Sequence, residues 1–214
     1  MTIKVYGAPL SPMVRKVLLA LDLKKVSYEL DPIAPFPAPP EYLAINPLGK
    51  IPSYQDDDIT LGDSSVICDY IEHKFTGYSL YPQNLLQRAK ALWFEEYADT
   101  KLFTVLGPNL FFERVVKQKL FQQPHDEAKV QHSITVEIPP TLDYLESQLP
   151  QEGFLFGQLY MADITIASCF INAKYADYTV DPDRWPVTAN YLNRVWENEV
   201  FAARIAKDMA FLTR

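Results

Sequence analysis

The order of elements in the first third of the chain constrains its fold more than any other feature. Residues 3–6 form a short apolar run typical of a strand, and apolar side chains then recur over 14–21 at the spacing of one buried helix face. The run VSYELDPI at 26–33 predicts a second strand. Because a strand, a helix and a strand in this order are joined by a right-handed crossover, the two strands are expected to be parallel.

A hairpin is predicted next, and the pattern changes after it. GKIPSY and ITLG flank the acidic turn 56–58 and are typical of antiparallel strands. Three consecutive aspartates lack the spacing of a calcium loop, so this turn is expected to be solvated. From residue 85 onward only long helical patterns follow, with an interruption expected at Gly107-Pro108. Pro139-Pro140 lies inside another of these patterns and does not fit a continuous α-helix.

The predicted fold class is therefore an α/β N-terminal domain followed by an all-α C-terminal domain. We place the first domain at residues 1–78, a linker at 79–84 and the helical domain at 85–214.

Charge and composition exclude several classes of function. A net charge of −7 without a basic cluster disfavours nucleic acid or an anionic membrane surface as a partner. The N-terminus lacks the pattern of a signal peptide, and the apolar stretch 154–171 is interrupted by Asp163, so no membrane span is expected. Cys68 and Cys169 lie in apolar helical patterns, and two cysteines cannot form a disulfide framework. Together with three scattered histidines, these features indicate a cytoplasmic protein with buried thiols and no metal site.

Two short segments could carry chemistry, and each has a structural alternative. Ser11 precedes Pro12 at the start of the first helix, where it is either only the N-cap or also a donor to an anion bound at the helix N-terminus. Pro52, near the start of a strand, indicates either an edge strand or a cis bond after Ile51. The cis bond would turn the Ile51 backbone toward a peptide-like ligand.

A third segment, LGDSS at 61–65, opens the helix that follows the hairpin. Asp63 and Ser64 are suitable caps for that helix. A helix N-terminus with hydroxyl groups also binds a carboxylate, and Asp63 could bind an ammonium group. A ligand that carries an ammonium and a carboxylate group side by side ends in an α-amino-acid group. Binding of such a ligand is the functional alternative to capping.

Taken in order, the three segments resemble the thioredoxin-like domain of glutathione transferases. The shared pattern is a serine that opens a helix, then N-P-x-G-K-[IV]-P, then [DE]-S at the start of a second helix. The linker LYP, Trp93 in the first long helix and GQLYMADITIAS, which is similar to the late capping motif of that family, extend the resemblance over nearly the whole chain. KVYGAPLSPMVRKVLLAL and NPLGKIPSYQDDDITLGDSSVICDYI are most similar to the serine-type classes, especially phi.

The resemblance implies the glutathione transferase fold, a homodimer and glutathione as co-substrate. Ser11 would donate a hydrogen bond to the glutathione sulfur, and Tyr6 would be second to it in this role. A more apolar site for the electrophile would lie in a cleft between the domains. Its candidate residues are Leu10, Pro12, Phe36 and Phe103.

The resemblance also implies a glutathione-binding set made of Lys50, Ile51, Pro52, Asp63 and Ser64. Ile51 would pair its backbone with the cysteinyl part of glutathione. Asp63 and Ser64 would hold the γ-glutamyl ammonium and carboxylate groups, and Lys50 would reach a carboxylate.

Three departures from the family pattern bear on these expectations. No cysteine lies at or beside Ser11, which disfavours thiol–disulfide exchange through an enzyme cysteine. Loop 32–40 lacks the His or Lys that phi-like members often carry before NP, so the way this loop contacts glutathione stays open. Tyr160 stands three residues before Asp163, where the family usually has Ser or Thr, so only the Asp163 half of the capping box is expected.

The expected function is conjugation of the glutathione thiolate to small hydrophobic electrophiles, a detoxification reaction. The same thiolate serves glutathione-dependent isomerases, peroxidases and lyases, which stay open as alternatives. A binding or scaffold protein that keeps the fold without catalysis is the other alternative.

Overall fold

The computed structural model describes residues 2–33 and 38–212, and the chain divides into two compact units. The first unit spans residues 1–82 and 198–214, and the second spans 83–197. The last helix is thus grouped with the first unit, and the boundaries that we placed at 78 and 85 stay a prediction. No helix in the described ranges combines the length and the apolar character that crossing a bilayer requires.

The first unit contains a four-stranded mixed sheet. Its strands are β1 (Lys4–Tyr6), β2 (Glu29–Asp31), β3 (Ser53–Gln55) and β4 (Thr60–Gly62). In the order β2-β1-β3-β4, β1 runs parallel to β2 and antiparallel to β3, and β3 runs antiparallel to β4. The predicted parallel pair and the predicted hairpin are both confirmed.

The position of β3 decides between the two interpretations of Pro52. β3 is an interior strand, so the edge-strand interpretation is wrong. The Ile51–Pro52 peptide bond is cis, as the other interpretation predicts.

The α-helices have the following bounds: α1 Pro12–Leu23, α2 Pro40–Leu43, α3 Ser64–Lys74, α4 Leu85–Tyr97, α5 Phe103–Leu106, α6 Glu127–His132, α7 Ile138–Gln148, α8 Met161–Tyr175, α9 Pro186–Glu197 and α10 Glu199–Leu212. The continuous helical pattern WPVTANYLNRVWENEVFAARI at 185–205 predicts one helix across α9 and α10. Instead, Asn198 separates the two, and its Oδ1 accepts a hydrogen bond from Val200 N at 3.1 Å.

Helix α1 is buried on nearly all sides rather than on one face. It contacts β1, α3 and α10, and even Arg15 and Lys16 have no exposed surface. Cys68 lies buried in α3 and Cys169 in α8, so the expectation of buried thiols is confirmed.

The acidic turn between β3 and β4 is only partly solvated. Asp57 and Asp58 are exposed, as expected. Asp56 is 8% exposed and accepts hydrogen bonds from Tyr54 Oη at 2.8 Å and Lys74 Nζ at 2.7 Å. The expectation of a solvated turn is therefore wrong for Asp56, which is an internal acceptor.

The second unit is helical and contains wide turns. Segments 98–102, 107–120 and 133–137 are π-helical, with i→i+5 hydrogen bonds. The predicted interruption at Gly107 is thus a change of helix type rather than a helix end. The turn at 133–137 lies directly before Pro139 and Pro140, which occupy the first turn of α7, so a change of helix type coincides with the two prolines.

Candidate functional site

Ser11 is the N-cap of α1, and its backbone is held from several directions. Its N–H donates to Ala8 O at 3.0 Å, and its carbonyl accepts from Arg15 N at 2.9 Å. The Oγ accepts only a long hydrogen bond, 3.4 Å from Val14 N. The side chain is half-buried, so a well-fixed backbone presents a weakly held hydroxyl at a helix N-terminus.

Short contacts join the segment around Ser11 to each of the other two sequence segments. A Cβ added to Gly7 would lie 3.3 Å from Ile51 Cβ and 2.4 Å from a methyl group of Val14, so only glycine permits this approach. Ser64 Oγ lies 3.7 Å from Met13 Sδ, which joins the start of α3 to the start of α1. Gly7, four residues before Ser11, thus lies against Ile51, and the start of α3 lies against the start of α1.

The segment before β3 is fixed through the carbonyl of Lys50. Tyr42 Oη donates to Lys50 O at 2.7 Å and Asn46 Nδ2 donates to it at 2.8 Å. Burial raises the pKa of Tyr42, which keeps its hydroxyl protonated as a donor. Ile51 lies two residues before Ser53, the first residue of β3, so its N–H and C=O lie outside the paired part of the sheet. The Lys50 side chain is exposed.

Asn46 has room for this contact because residue 62 is a glycine. A Cβ at Gly62 would lie 2.7 Å from Asn46 Nδ2, closer than side chains tolerate. Asn46 is 3% exposed, and its Oδ1 also accepts from Leu48 N at 3.0 Å. The asparagine of the NP dipeptide therefore ties its own turn to the segment that carries Ile51.

The start of α3 combines a strained cap with a buried cation. Asp63 has φ +71°, and its Oδ1 accepts from Ser65 N at 2.9 Å and Val66 N at 3.2 Å. Lys16 Nζ, which is fully buried, donates to Ser65 Oγ at 2.8 Å. Lys16 thus places a positive charge at the first turn of α3, where the helix dipole has the same sign.

Tyr6 lies near Ser11 in sequence, but its hydroxyl is already engaged. Tyr6 is 7% exposed, and its Oη donates to Gln55 Oε1 at 2.6 Å. This hydrogen bond directs the hydroxyl proton to the sheet.

The four candidates for the electrophile site lie in different parts of the chain. Leu10 and Pro12 flank Ser11 and are buried. Phe103 belongs to α5 of the second unit and is 38% exposed. Phe36 and the middle of loop 32–40 lie outside the described residues.

Several residues that build this region are missed by sequence reasoning. Tyr42 and Asn46 stand four residues apart just before the turn, and that spacing was the only local signal for them. Arg15 and Lys16 are consecutive cations inside an apolar run, a pattern that indicates a helix covered on more than one side. Their partners lie far along the chain and could not be paired from sequence.

Comparisons with known proteins agree with this geometry. A family model described as the glutathione S-transferase N-terminal domain matches residues 5–79. A glutathione S-transferase from Silene vulgaris is 32% identical over 162 residues, which cover 72% of this chain and 73% of the relative. The chain belongs to the glutathione S-transferase family.

Solved structures extend the likeness of this glutathione S-transferase to both units. Glutathione transferase F2 from Populus trichocarpa is 25% identical with a TM-score of 0.80, over 97% of this chain and 99% of the other. A glutathione S-transferase-I bound to lactoylglutathione is 25% identical with a TM-score of 0.82, over 96% and 99%. The predicted fold, a thioredoxin-like α/β domain with an all-α domain, is confirmed. The enzyme class and glutathione as co-substrate follow from the family.

The late capping motif of this transferase is completed by an unexpected partner. Asp163 Oδ2 accepts from Tyr160 N and Oδ1 accepts from Leu155 N, both at 2.9 Å. Tyr191 Oη donates to the same Oδ1 at 2.6 Å. The Asp163 half of the capping box is thus present as expected, and a tyrosine of α9 adds a third bond that the sequence did not indicate.

Proposed function

We propose that this glutathione S-transferase conjugates glutathione to small hydrophobic electrophiles, with Ser11 as the donor that stabilises the thiolate. The observation that carries the proposal is the weak 3.4 Å contact of Ser11 Oγ on an otherwise fixed backbone. A hydroxyl held this loosely can turn from Val14 N to a sulfur at little cost.

The free energy needed to stabilise the thiolate is of the size that a hydroxyl donor and a helix N-terminus supply. An unperturbed thiol has a pKa of about 8.5, so only a few per cent is thiolate at pH 7. Lowering the thiol pKa by about two units takes about 2.7 kcal/mol of preferential stabilisation of the anion. One hydroxyl donor and a helix N-terminus together supply a free energy of that order.

The reaction balances without a further cofactor. The thiol proton leaves to water, a lone pair of the sulfur forms the new bond to the electrophilic carbon, and the leaving group departs with its bonding electrons. Ser11 remains a hydrogen-bond donor throughout and forms no covalent bond to the substrate.

The positions of the groups support the glutathione-binding roles that we propose. Ile51, outside the paired sheet, offers its N–H and C=O to the cysteinyl backbone, with Pro52 beside it. Asp63, exposed, meets the γ-glutamyl ammonium, and Ser64 with the N-terminus of α3 meets the carboxylate. Lys50, also exposed, reaches a carboxylate, and Leu10, Pro12, Phe36 and Phe103 are our candidates for the electrophile.

A homodimer is part of the proposal. Helix α4 exposes Leu85, Leu86, Leu92 and Trp93, which are 78%, 80%, 41% and 51% accessible. A run of apolar side chains this exposed is typical of an interaction surface, and a second copy of the chain is the occupant we propose. Sedimentation of the purified protein tests this, since a monomer at micromolar concentration would contradict it.

Replacement of Ser11 by alanine tests the central claim. Ser11→Ala is expected to lower kcat/KM with a general aryl halide by about 100-fold, the equivalent of about 2.7 kcal/mol. The variant should still be retained on immobilised glutathione, because the binding groups of α3 and the Ile51 segment are intact. Unchanged turnover would refute the role of Ser11. Retention of the wild type without turnover would favour an isomerase, peroxidase or lyase, and neither signal would favour a scaffold.

A further inference from the structure

A buried ion pair links the last helix of the chain to the segment that carries Ser11. Arg15 Nε and Nη2 both lie 2.7 Å from Asp208 Oδ2, and the side chains are 0% and 2% exposed. Asp208 belongs to α10, which is grouped with the first unit. The pair therefore fixes the guanidinium one turn after Ser11.

The same guanidinium also reaches the peptide bond that joins Leu10 to Ser11. Arg15 Nη2 donates to Leu10 O at 3.4 Å, while Ser11 N donates to Ala8 O at 3.0 Å. The carbonyl on one side of this peptide and the N–H on the other are thus both held. A planar peptide with both groups held has little freedom to rotate, and this sets the direction in which the Ser11 side chain leaves the backbone.

We propose that Asp208 and Arg15 form a positioning pair for Ser11, so that the C-terminal helix helps to set the strength of thiolate stabilisation. The inference rests on the proposed role of Ser11. Arg15 suits this task because its guanidinium donates to a carboxylate and a carbonyl in one fixed geometry, which a lysine cannot do. Neither residue touches glutathione in this scheme, and both act through the Leu10–Ser11 peptide.

A second ion pair on the same helix provides a matched control. Arg204 of α10 donates from Nη2 to Asp22 Oδ2 at 2.5 Å and also bonds Tyr28 Oη. This pair also anchors α10 to α1, but Asp22 lies eleven residues after Ser11 near the far end of α1. Loss of either pair removes one ionic link between α10 and α1, whereas only loss of the Arg15 pair removes the Arg15 donor from the Leu10 carbonyl.

The experiment compares the wild type with two double variants, Arg15→Met/Asp208→Leu and Asp22→Leu/Arg204→Met. Both remove a whole ion pair and replace it with apolar side chains, an exchange that folded proteins often tolerate without loss of stability. The first readout is hydrogen exchange of the Ser11 amide, which needs no glutathione. The second is the pKa of bound glutathione, from the ultraviolet absorbance of the thiolate against pH.

We expect exchange of the Ser11 amide to rise about tenfold in the Arg15/Asp208 variant, and the pKa of bound glutathione to rise by about one unit. The value of kcat/KM should fall about tenfold while the KM for glutathione stays within about threefold. The Asp22/Arg204 variant should match the wild type in all of these. If the Arg15/Asp208 variant does not fold, Arg15→Lys, which keeps the charge but not the fork, is expected to show the same shifts.

Two outcomes would overturn the proposal. One is an unchanged Ser11 amide and an unchanged thiol pKa in the Arg15/Asp208 variant, and the other is equal shifts in both double variants. A wild type that binds glutathione without a lowered thiol pKa would instead refute the proposed role of Ser11. In that case amide exchange alone decides whether the pair holds the Leu10–Ser11 peptide.

Discussion

Each unit has an aspartate at the start of a helix, and the two carboxylates are bound in opposite ways. Asp63, in the first unit, caps α3 through Oδ1 alone and is exposed. Asp163, in the second unit, has no exposed surface and uses both oxygens to accept three hydrogen bonds. On our proposal, a carboxylate that is fully hydrogen-bonded within the chain stabilises the fold, whereas one that uses a single oxygen keeps the other for a ligand.

The largest effect, a loss of stability, is expected when the carboxylate of Asp163 is removed. Asp163→Ala leaves the N–H groups of Leu155 and Tyr160 and the hydroxyl of Tyr191 without their acceptor. Three buried donors that lose their acceptor cost about 3–5 kcal/mol in total. The midpoint of urea denaturation should fall accordingly, and kcat of the protein that remains folded should stay within about twofold.

Asp126 is the matched control in the same unit. It caps α6 through one hydrogen bond, from Lys129 N to Oδ1 at 3.2 Å, and it is exposed. Asp126→Ala should cost about 1 kcal/mol, as an ordinary N-cap does. Equal losses for the two variants would mean that burial of Asp163 and its extra bonds contribute nothing.

Asp56 sharpens the comparison. It lies in the first unit, but like Asp163 it is buried and accepts several hydrogen bonds within the chain. Burial disfavours its charge, but hydrogen bonds from Lys74 and Tyr54 hold the pKa of Asp56 well below its usual range. A carboxyl group with a lowered pKa in the folded state stabilises the fold above its unfolded pKa of about 3.9, and this contribution is lost as the pH falls below that value. The melting temperature of the wild type should therefore drop in acid.

Asp56→Asn tests how much of that acid sensitivity belongs to one residue. At pH 7 we expect a loss of about 2 kcal/mol, because the bond from the Lys74 ammonium loses its charged acceptor. Below about pH 4 the gap to the wild type should narrow, since the wild-type carboxylate is then being protonated. A stability difference between the variant and the wild type that stays constant across the whole pH range would contradict the assignment of the acid sensitivity to Asp56.

The carboxylate of Asp63 should affect ligand binding rather than stability. Asp63→Asn keeps a side-chain oxygen for the cap and tolerates φ +71°, but it removes the charge that would meet the γ-glutamyl ammonium. We expect the KM for glutathione to rise about tenfold, or about 1.4 kcal/mol, with little change in the melting temperature.

Asp57→Asn removes the same charge from the exposed turn between β3 and β4 and serves as the control. Its KM for glutathione should match the wild type. A tenfold rise in both variants would show that net charge, not the position of Asp63, governs binding.

Local signals in the sequence were sufficient for most of the first unit. Ser11 before Pro12 predicts the N-cap that the structure has, and the two strand-like segments that flank Asp56–Asp58 predict the hairpin. These features depend on side chains a few residues apart, so spacing alone reveals them. The order of the three segments was specific enough to indicate the family before any contact was known.

Long-range partners and changes of helix type could not be predicted. Asp208 lies 193 residues from Arg15, and Tyr191 lies 28 residues from Asp163, so no local pattern pairs them. Pro139-Pro140 showed that the helix around it is irregular, but not that a wide turn at 133–137 lies directly before it. The apolar face of α1 was visible in the sequence, whereas the cover that α10 gives to Arg15 was not.

The smallest effect is expected at Tyr6, whose hydroxyl is fully committed to Gln55. Tyr6→Phe removes a hydroxyl that points to the sheet, so kcat/KM should change by less than about threefold. The difference between groups that are fully and partly hydrogen-bonded within the chain then applies to hydroxyls as it does to carboxylates. Kinetics with saturating glutathione and an aryl halide give the measurement.

A double-mutant cycle makes this small effect decisive. If Tyr6 only supports the sheet, its effect should be the same in the wild type and in Ser11→Ala, with a coupling below about 0.5 kcal/mol. If Tyr6 shares the sulfur with Ser11, the two single losses will not add, and Tyr6→Phe alone will approach the loss seen for Ser11→Ala. The second result would mean that the 2.6 Å bond to Gln55 is broken when glutathione binds, and that a fully bound hydroxyl can still serve the reaction.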